Sequence, residues 1–200
     1  MRIALYHNLH SGGALRTLVE QARRLGRDHE LLLFTLSTAE GTSELREFVS
    51  HVDVQSFRVG RGWARPWSRI NELVRTEDLW RLQRLSQGVA RRIDSCGCDV
   101  VLVHPCQLSQ SPPLLRYLKT PTVYYCQEPL RRLYEPRFER PYSHRATFHR
   151  VLDSVDIGAH LYRLCLRLSD RRALRSAGRV LVNSQYTQSA VRRIYGVDGR

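Results

Sequence analysis

Short apolar segments alternate with helical segments along this chain of 200 residues. The first apolar segment, residues 2–6, leads through a loop that contains two glycines into a helix, and residues 179–184 lead through a polar turn into another. Apolar strands of this kind are typical of parallel sheets, in which helices cover both faces and connect the strands. The pattern therefore predicts an α/β domain with a Rossmann-like, doubly wound parallel sheet.

Hydrophobic periodicity gives the expected elements. Strands are predicted at residues 2–7, 30–36, 52–59, 99–104, 121–126 and 179–184. Helices are predicted at residues 13–26, 42–50, 77–95, 108–118, 146–176 and 185–195. Thr76, followed by Glu77 and Asp78, is expected to cap the third helix, because acidic side chains suit the first turn. Ligands are expected at the carboxyl ends of the strands.

The charge of the chain is strongly positive, with 32 basic and 19 acidic residues and a formal net charge of +13. Such a balance favours anionic partners, namely phosphate groups, nucleic acid or an acidic membrane face. Residues 60–75 and 127–150 combine arginines with aromatic side chains, which suits an anionic membrane surface or single-stranded nucleic acid. A solvated basic face without a partner is the alternative. The chain has no recognition-helix, RNA-platform or zinc-finger signature, which disfavours nucleic acid.

The first loop places Gly12 and Gly13 directly before a helix. Adjacent glycines let the backbone approach a phosphate or a sugar closely, and the N-terminus of a helix favours anions. The loop has neither the spacing of a dinucleotide fingerprint nor that of a P-loop, so neither type of nucleotide site is supported. A tight turn without a chemical role is the alternative.

Polar residues also follow two later strands. His104 ends the fourth strand, where it is expected to face the crevice and to donate a hydrogen bond or, when protonated, to hold an anion. Gln127 and Glu128 follow the fifth strand, and Arg131 comes three residues later. A carboxylate beside guanidinium groups can organise the hydroxyls and phosphates of one ligand. The alternatives are a histidine that caps the backbone and a local salt bridge.

Five cysteines give no sign of a disulfide framework. Cys96 and Cys98 could supply half of a zinc site, but no second pair stands at the spacing of zinc ligands. Free thiols in a reducing cytoplasm are therefore expected. No metal and no cofactor is predicted.

Four of these segments, taken in order, resemble the N-terminal domain of glycosyltransferase family 4. Residues 2–6, together with Gly12 and Gly13, resemble the first strand and glycine loop of that family, and residues 99–104 resemble its fourth strand. Residues 125–131 resemble the segment after strand five in a mannosyltransferase-like branch, where a histidine often stands in the place of Gln127. Residues 180–187 are similar to the strand and helix that lead toward the second domain.

The resemblance implies a GT-B architecture, in which two Rossmann-like domains face a cleft. Residues 1–200 would form the N-terminal domain, which mainly receives the acceptor, and the C-terminal domain, which holds the nucleotide-sugar donor, would be absent from this chain. The complete enzyme would transfer a hexose, with retention and without a metal, to a glycan or lipid-linked acceptor, and this chain alone would be inactive. A non-catalytic module that binds anionic lipid or nucleic acid is the alternative. The expected location is cytoplasmic, with peripheral attachment to the inner membrane face.

The resemblance also implies roles for single residues. His104 and Glu128 are the expected catalytic residues, His104 at the reacting sugar or a phosphate and Glu128 in the acceptor pocket. The glycines would lie close to the donor pyrophosphate, and Arg131 would line the acceptor pocket. The expected substrate-binding residues are Gly12, Gly13, Gln127, Arg131, Asn183 and Ser184.

Overall fold

The computed structural model of this chain describes residues 1–64, 71–135 and 157–200. Within these ranges one parallel sheet has the strand order β3-β2-β1-β4-β5-β6. The order reverses between β1 and β4, as in doubly wound folds. The predicted Rossmann-like sheet is therefore confirmed. Its strands are β1 Arg2–Asn8, β2 Glu30–Leu36, β3 His51–Gln55, β4 Val100–Cys106, β5 Thr122–Cys126 and β6 Arg179–Val182.

Helices cover both faces of this sheet, and a short 3₁₀ turn at Pro113–Arg116 connects β4 to β5. A second 3₁₀ turn, Arg46–Phe48, continues the short helix α2. The described helices are α1 Gly13–Leu25, α2 Thr42–Leu45, α3 Asn71–Ser95, α4 Arg131–Tyr134, α5 Ile157–Arg175 and α6 Gln185–Tyr195.

Alternate side chains of β1 enter two different cores, since successive residues of a strand point to opposite faces. Ile3 and Leu5 pack with α1 and α2 on one face. Ala4 and Tyr6 pack with α3, α5 and α6 on the other face. Burial on both faces explains why the strands appear in the sequence as continuous apolar runs.

The helix predicted at residues 108–118 is wrong. The chain instead closes a tight turn, in which Cys106 and Gln110 exchange two backbone hydrogen bonds of 2.8 and 2.7 Å. Gln110 adopts a positive φ of 62° in this turn. Pro112 and Pro113 lie where the middle of the helix would be, and neither has an N–H group to donate to a helical hydrogen bond.

The predicted start of the third helix is also wrong. α3 already contains Asn71, more than a turn before Thr76. The hydroxyl of Thr76 donates to the carbonyl of Glu72 at 2.8 Å, which lets a threonine sit inside a helix. Asp78 does not belong to a first turn and accepts instead from the backbone N–H of Gly60 at 3.0 Å.

Parts of three predicted segments lie outside the described residues. These parts are residues 65–70 of the basic segment 60–75, residues 136–150 of the basic segment 127–150 and residues 146–156 of the helix 146–176. The described remainder of that helix, Ile157–Arg175, is helical as predicted.

Candidate functional site

A pocket of about 390 Å³ opens at the carboxyl ends of β1, β4, β5 and β6. It lies where the strand order reverses, which is the usual ligand position in doubly wound sheets. Its volume is in the range typical of small-molecule sites. The loop between β1 and α1, the turn after β4 and the ends of β5 and β6 line the pocket, through Leu9, His10, Ser11, Gly12, Gly13, Ala14, Pro105, Cys106, Gln107, Gln110, Gln127, Glu128 and Asn183.

The glycine loop forms one wall of this pocket. Gly12 holds the N-cap position of α1 with a φ of 153°, and its carbonyl accepts from the N–H of Arg16 at 3.1 Å. A Cβ atom added to Gly12 or to Gly13 would meet no atom within 4 Å, so the space beside this backbone is open. Because Gly12 has no side chain with which to cap the helix, the first N–H groups of α1 stay available to an anion.

Side-chain amides hold the opposite wall in place. The Oδ1 atom of Asn8 accepts from Thr38 Oγ1 at 2.9 Å and from Gln107 Nε2 at 3.1 Å. The Nε2 atom of Gln110 donates to the carbonyl of Glu128 at 2.7 Å, which connects the turn after β4 to the end of β5. The two segments therefore support each other at the rim of the pocket.

Gln107 and Gln110 were missed by the sequence analysis. Gln107 follows the end of β4 directly, as Gln127 follows the end of β5. The positional rule that pointed to Gln127 would therefore also have found Gln107. Gln110 was not recognised, because the wrong prediction at residues 108–118 placed it inside a helix and not at the end of a strand.

Five of the predicted residues come together at this pocket, namely Gly12, Gly13, Gln127, Glu128 and Asn183. Nε2 of Gln127 lies 3.4 Å from the carbonyl of Ala14, so the end of β5 contacts the first turn of α1. Arg131 does not line the pocket, but its guanidinium lies 2.9 Å from the carboxylate of Glu128, and both side chains are more than half exposed.

Ser184 does not line the pocket either. It caps α6, because its Oγ accepts from the N–H of Thr187 at 3.1 Å. The neighbouring Asn183 does line the pocket, and its Oδ1 lies 2.9 Å from Thr187 Oγ1. The hydrogen bond by which Ser184 caps α6 therefore also positions the neighbouring Asn183 at the pocket. The roles in substrate binding that the sequence suggested stay predictions for all six residues.

His104 is placed differently from the sequence expectation. Its side chain is fully buried beneath α1 and does not line the pocket. Nε2 lies 2.9 Å from Oε1 of Gln21, and among the described residues no hydrogen-bond partner reaches Nδ1. The expectation that His104 faces the crevice is therefore wrong, because β4 turns this side chain to the face that α1 covers.

His7 lies on the neighbouring strand and is also fully buried. Burial lowers the pKa of His7 from 6.5 to about 4. Burial, followed by the proximity of His7, lowers the pKa of His104 to about 3. Both imidazoles are therefore neutral at physiological pH, and His104 cannot hold an anion by charge there. Its catalytic role stays a prediction.

A buried carboxylate holds the helices on the other face of the sheet. Asp170 of α5 is fully buried and accepts from Tyr134 at 2.8 Å and from Tyr195 at 2.7 Å. Its other oxygen accepts from the N–H of Ser111 at 3.2 Å. Burial raises the pKa of Asp170 above its ordinary value of 3.8. These contacts join α4, α5 and α6 to the chain that follows the turn at the pocket.

Neither a metal-binding group nor a membrane-spanning helix is present in the described ranges. Over residues 1–64, 71–135 and 157–200, no three His, Cys, Asp or Glu side chains are grouped so that they could hold a metal ion. Within the same ranges, every helix is too short or too polar to cross a membrane. The predictions that no metal and no cofactor is needed stay predictions.

Comparison with known proteins gives solved structures alone. No family model matches the chain, and no curated protein does. CalG4, the calicheamicin glycosyltransferase, is 14% identical with a TM-score of 0.43, over 90% of this chain and 47% of that one. UGT89C1 of Arabidopsis thaliana, complexed with UDP, is 10% identical with a TM-score of 0.49, over 97% and 46%. LpCGTa, in complex with UDP, is 14% identical with a TM-score of 0.48, over 99% and 50%.

The chain thus spans about half the length of these three structures. Likeness at this level identifies neither a family nor a function.

The pocket offers mostly hydrogen bonds. Backbone amides of the glycine loop, together with the side chains of Gln107, Gln127 and Asn183, can bind the hydroxyls and phosphate oxygens of a ligand. Glu128, His10 and the buried thiol of Cys106 are the ionisable side chains in its lining. His10 lies 3.8 Å from Glu40. Glu128 can accept a proton from a bound hydroxyl, which is the part that a general base plays.

Proposed function

We propose that this chain is the N-terminal, acceptor-side domain of a nucleotide-sugar-dependent glycosyltransferase of GT-B architecture. Its resemblance to the mannosyltransferase-like branch of family 4 supports a retaining transfer of a hexose to a glycan or lipid-linked acceptor. The observation that carries the proposal is the open pocket at the switch point of the sheet, with Gly12 and Gly13 at the N-terminus of α1 in its wall. A domain beyond these residues would hold the donor.

The loss of the nucleotide leaves negative charge on a phosphate beside a positively charged sugar centre. Fixed amide groups stabilise such developing charge well, because they need no reorganisation when it appears. The N–H groups at the start of α1 are fixed in this way. In the proposal they face the departing phosphate, and no metal is required.

The acceptor would lie on the other side of the pocket. Glu128 borders this space with its backbone fixed by Gln110 and its carboxylate beside Arg131. A carboxylate held in this way can accept a hydrogen bond from the attacking hydroxyl and orient it. His104 would act only through Gln21 and α1, since it is buried.

The test uses the complete protein encoded by the reading frame that contains this chain. Transfer and hydrolysis of a panel of nucleotide-sugars are measured for the wild type, for Gly13→Trp and for Gly88→Trp. Both glycines are helical, and an added Cβ meets no atom within 4 Å at either position, so both variants are expected to fold. Gly13→Trp fills the pocket and is expected to lower kcat/KM by roughly a hundredfold, because displaced substrates lose this much.

Gly88→Trp lies on the exposed side of α3 and is expected to keep the activity of the wild type. The proposal is wrong if the complete protein processes no nucleotide-sugar. It is also wrong if the two variants lose activity to the same extent, because the pocket would then have no special part in the reaction.

A further inference from the structure

The outer side of α5 is apolar. Ile157, Leu161, Leu164 and Leu168 are 80, 43, 53 and 43% exposed. Their spacing of four, three and four residues places them in one stripe along the helix. The buried residues of α5, among them Leu166 and Ala173, lie on the opposite side. An exposed apolar stripe of this length indicates an interaction surface.

All charged residues of α5 but one are positive. The helix contains five arginines, and its single acidic residue, Asp170, is fully buried. Arg167 and Arg172 are exposed on the two sides of the apolar stripe. Arg167 also donates to the carbonyl of Leu133 at 3.2 Å, which fixes its direction. The stripe is therefore flanked by positive charge that no carboxylate of α5 offsets.

α3 extends this surface. It packs beside α5 on the same face of the sheet, so the outer sides of the two helices point in the same direction. Leu73 and Trp80 of α3 are 51 and 59% exposed, and seven residues separate them. They lie opposite the buried Leu82 and Val89 of the same helix. An exposed tryptophan is well suited to the boundary between water and lipid, because its ring is apolar and its N–H is polar.

We propose that the outer sides of α5 and α3 form a docking surface for an anionic lipid bilayer. Apolar side chains between arginines match the structure of a membrane surface, where acyl chains lie just below phosphate groups. Single-stranded nucleic acid would engage the arginines but leave the stripe of leucines in water. The inference rests on this surface alone and does not depend on sugar transfer.

This surface differs from the one that the sequence suggested. The sequence pointed to the arginines and aromatic residues of segments 60–75 and 127–150, which lie in part outside the described residues. The stripe on α5 could be recognised only once the structure showed which side of the helix is buried. A helix that lies flat on the surface of a bilayer does not have to be long and apolar enough to cross it.

Flotation with vesicles tests the proposal on the 200-residue chain. We expect binding to vesicles that contain phosphatidylglycerol at low salt, weaker binding at high salt, and little binding to phosphatidylcholine alone. The pair Leu161→Ser with Leu164→Ser is expected to lower the partition coefficient about tenfold or more, since it replaces two of the six exposed apolar side chains of this surface, at the centre of the stripe. Arg167→Gln with Arg172→Gln is expected to lower it roughly tenfold.

Matched controls come from surfaces on the opposite side of the sheet or at its edge. Arg27→Gln with Arg46→Gln removes the same charge near α1 and α2, and Val54→Ser removes an exposed apolar side chain of β3. Both controls are expected to bind vesicles as the wild type does. All substituted residues are exposed, so circular dichroism should show the same folded state throughout.

Three results would overturn the proposal. The first is no binding to anionic vesicles at low salt, and the second is equal loss in the controls and in the α5 variants. The third is a dimer in sedimentation equilibrium that disappears in Leu161→Ser with Leu164→Ser, since a second copy would then cover the stripe. If the first result comes together with binding of single-stranded nucleic acid, the arginines are assigned to that partner. Vesicle binding without sugar transfer would contradict the glycosyltransferase proposal alone.

Discussion

The buried histidines make stability depend on pH in a direction that can be worked out. The pKa values of His7 and His104, about 4 and about 3, lie below the ordinary 6.5. As the pH falls, the unfolded chain therefore binds protons before the folded protein does. The contribution of the two histidines to stability is fully present above pH 6.5 and is lost as the pH falls toward 4 and 3. At about pH 5 each histidine lowers the free energy of unfolding by roughly 2 kcal/mol. Urea unfolding between neutral pH and pH 5 measures this loss, and His104→Gln should remove about half of the histidine contribution. Parallel losses in the wild type and in the variant would show that His104 does not titrate in this way.

Removal of the Asp170 side chain is expected to destabilise the protein strongly. Asp170→Ala leaves the hydroxyls of Tyr134 and Tyr195 and the N–H of Ser111 without their acceptor. The expected loss is roughly 3 kcal/mol of unfolding free energy, because breaking a buried network is among the most destabilising changes. Asp28→Ala, at an exposed aspartate, is expected to change it by less than about 0.5 kcal/mol. Similar values for the two variants, from urea unfolding at neutral pH, would contradict this account.

The protonation of Asp170 adds a dependence on pH of the opposite sign. Because burial raises its pKa above 3.8, the folded protein binds this proton more tightly than the unfolded chain. The contribution is fully present below 3.8 and lost as the pH rises through the folded pKa. Asp170→Asn is expected to lack this loss. Because the histidine contribution of opposite sign is then no longer offset, the same urea series should show a steeper dependence on pH on the acidic side.

Among the elements, the strands were predicted well because each signal is local. Each strand of the structure overlaps its predicted segment, since a run of residues buried on both faces is apolar throughout. The turn at residues 106–110 could not be predicted in the same way. In this turn the N–H of Gln107 donates to the carbonyl of Asn8, and the side chain of Gln110 donates to the carbonyl of Glu128, and both partners are distant in sequence.

The candidate site was predictable to a similar extent. The carboxyl ends of parallel strands meet at one edge, so residues there were expected to lie close together, and Gly12, Gln127, Glu128 and Asn183 line one pocket. The face on which a side chain lies is a different question. Val103 and His104 of β4 point to opposite faces of the sheet. Only the position of α1 in the structure shows that this helix covers the face of His104.

The cap of α6 gives a prediction at the level of one helix. Ser184→Ala removes the acceptor for the N–H of Thr187 and is expected to lower the unfolding free energy by about 1 kcal/mol. Ser184→Asp supplies another acceptor and adds a charge that the helix N-terminus favours, so it is expected to keep the stability of the wild type. Thermal unfolding of both variants measures the difference. Equal midpoints for alanine and aspartate would mean that the cap contributes nothing.

For the whole molecule, the charge predicts how salt acts on stability. Most of the described ion pairs, such as Arg2 with Glu30 and Arg75 with Glu72, join at least partly exposed side chains and contribute little, and only Asp53 and Asp78 offer buried carboxylates among the described pairs. A net charge of +13 destabilises the compact state by self-repulsion, which salt screens. The midpoint of thermal unfolding is therefore expected to rise as sodium chloride is added at neutral pH. Arg27→Gln with Arg46→Gln should raise the midpoint at low salt and flatten this dependence. A midpoint that falls with salt would mean that the ion pairs outweigh the repulsion.

An anionic surface would relieve the same repulsion. Vesicles that bind the outer sides of α5 and α3 should therefore also raise the midpoint of thermal unfolding at low salt, and Leu161→Ser with Leu164→Ser should reduce that increase.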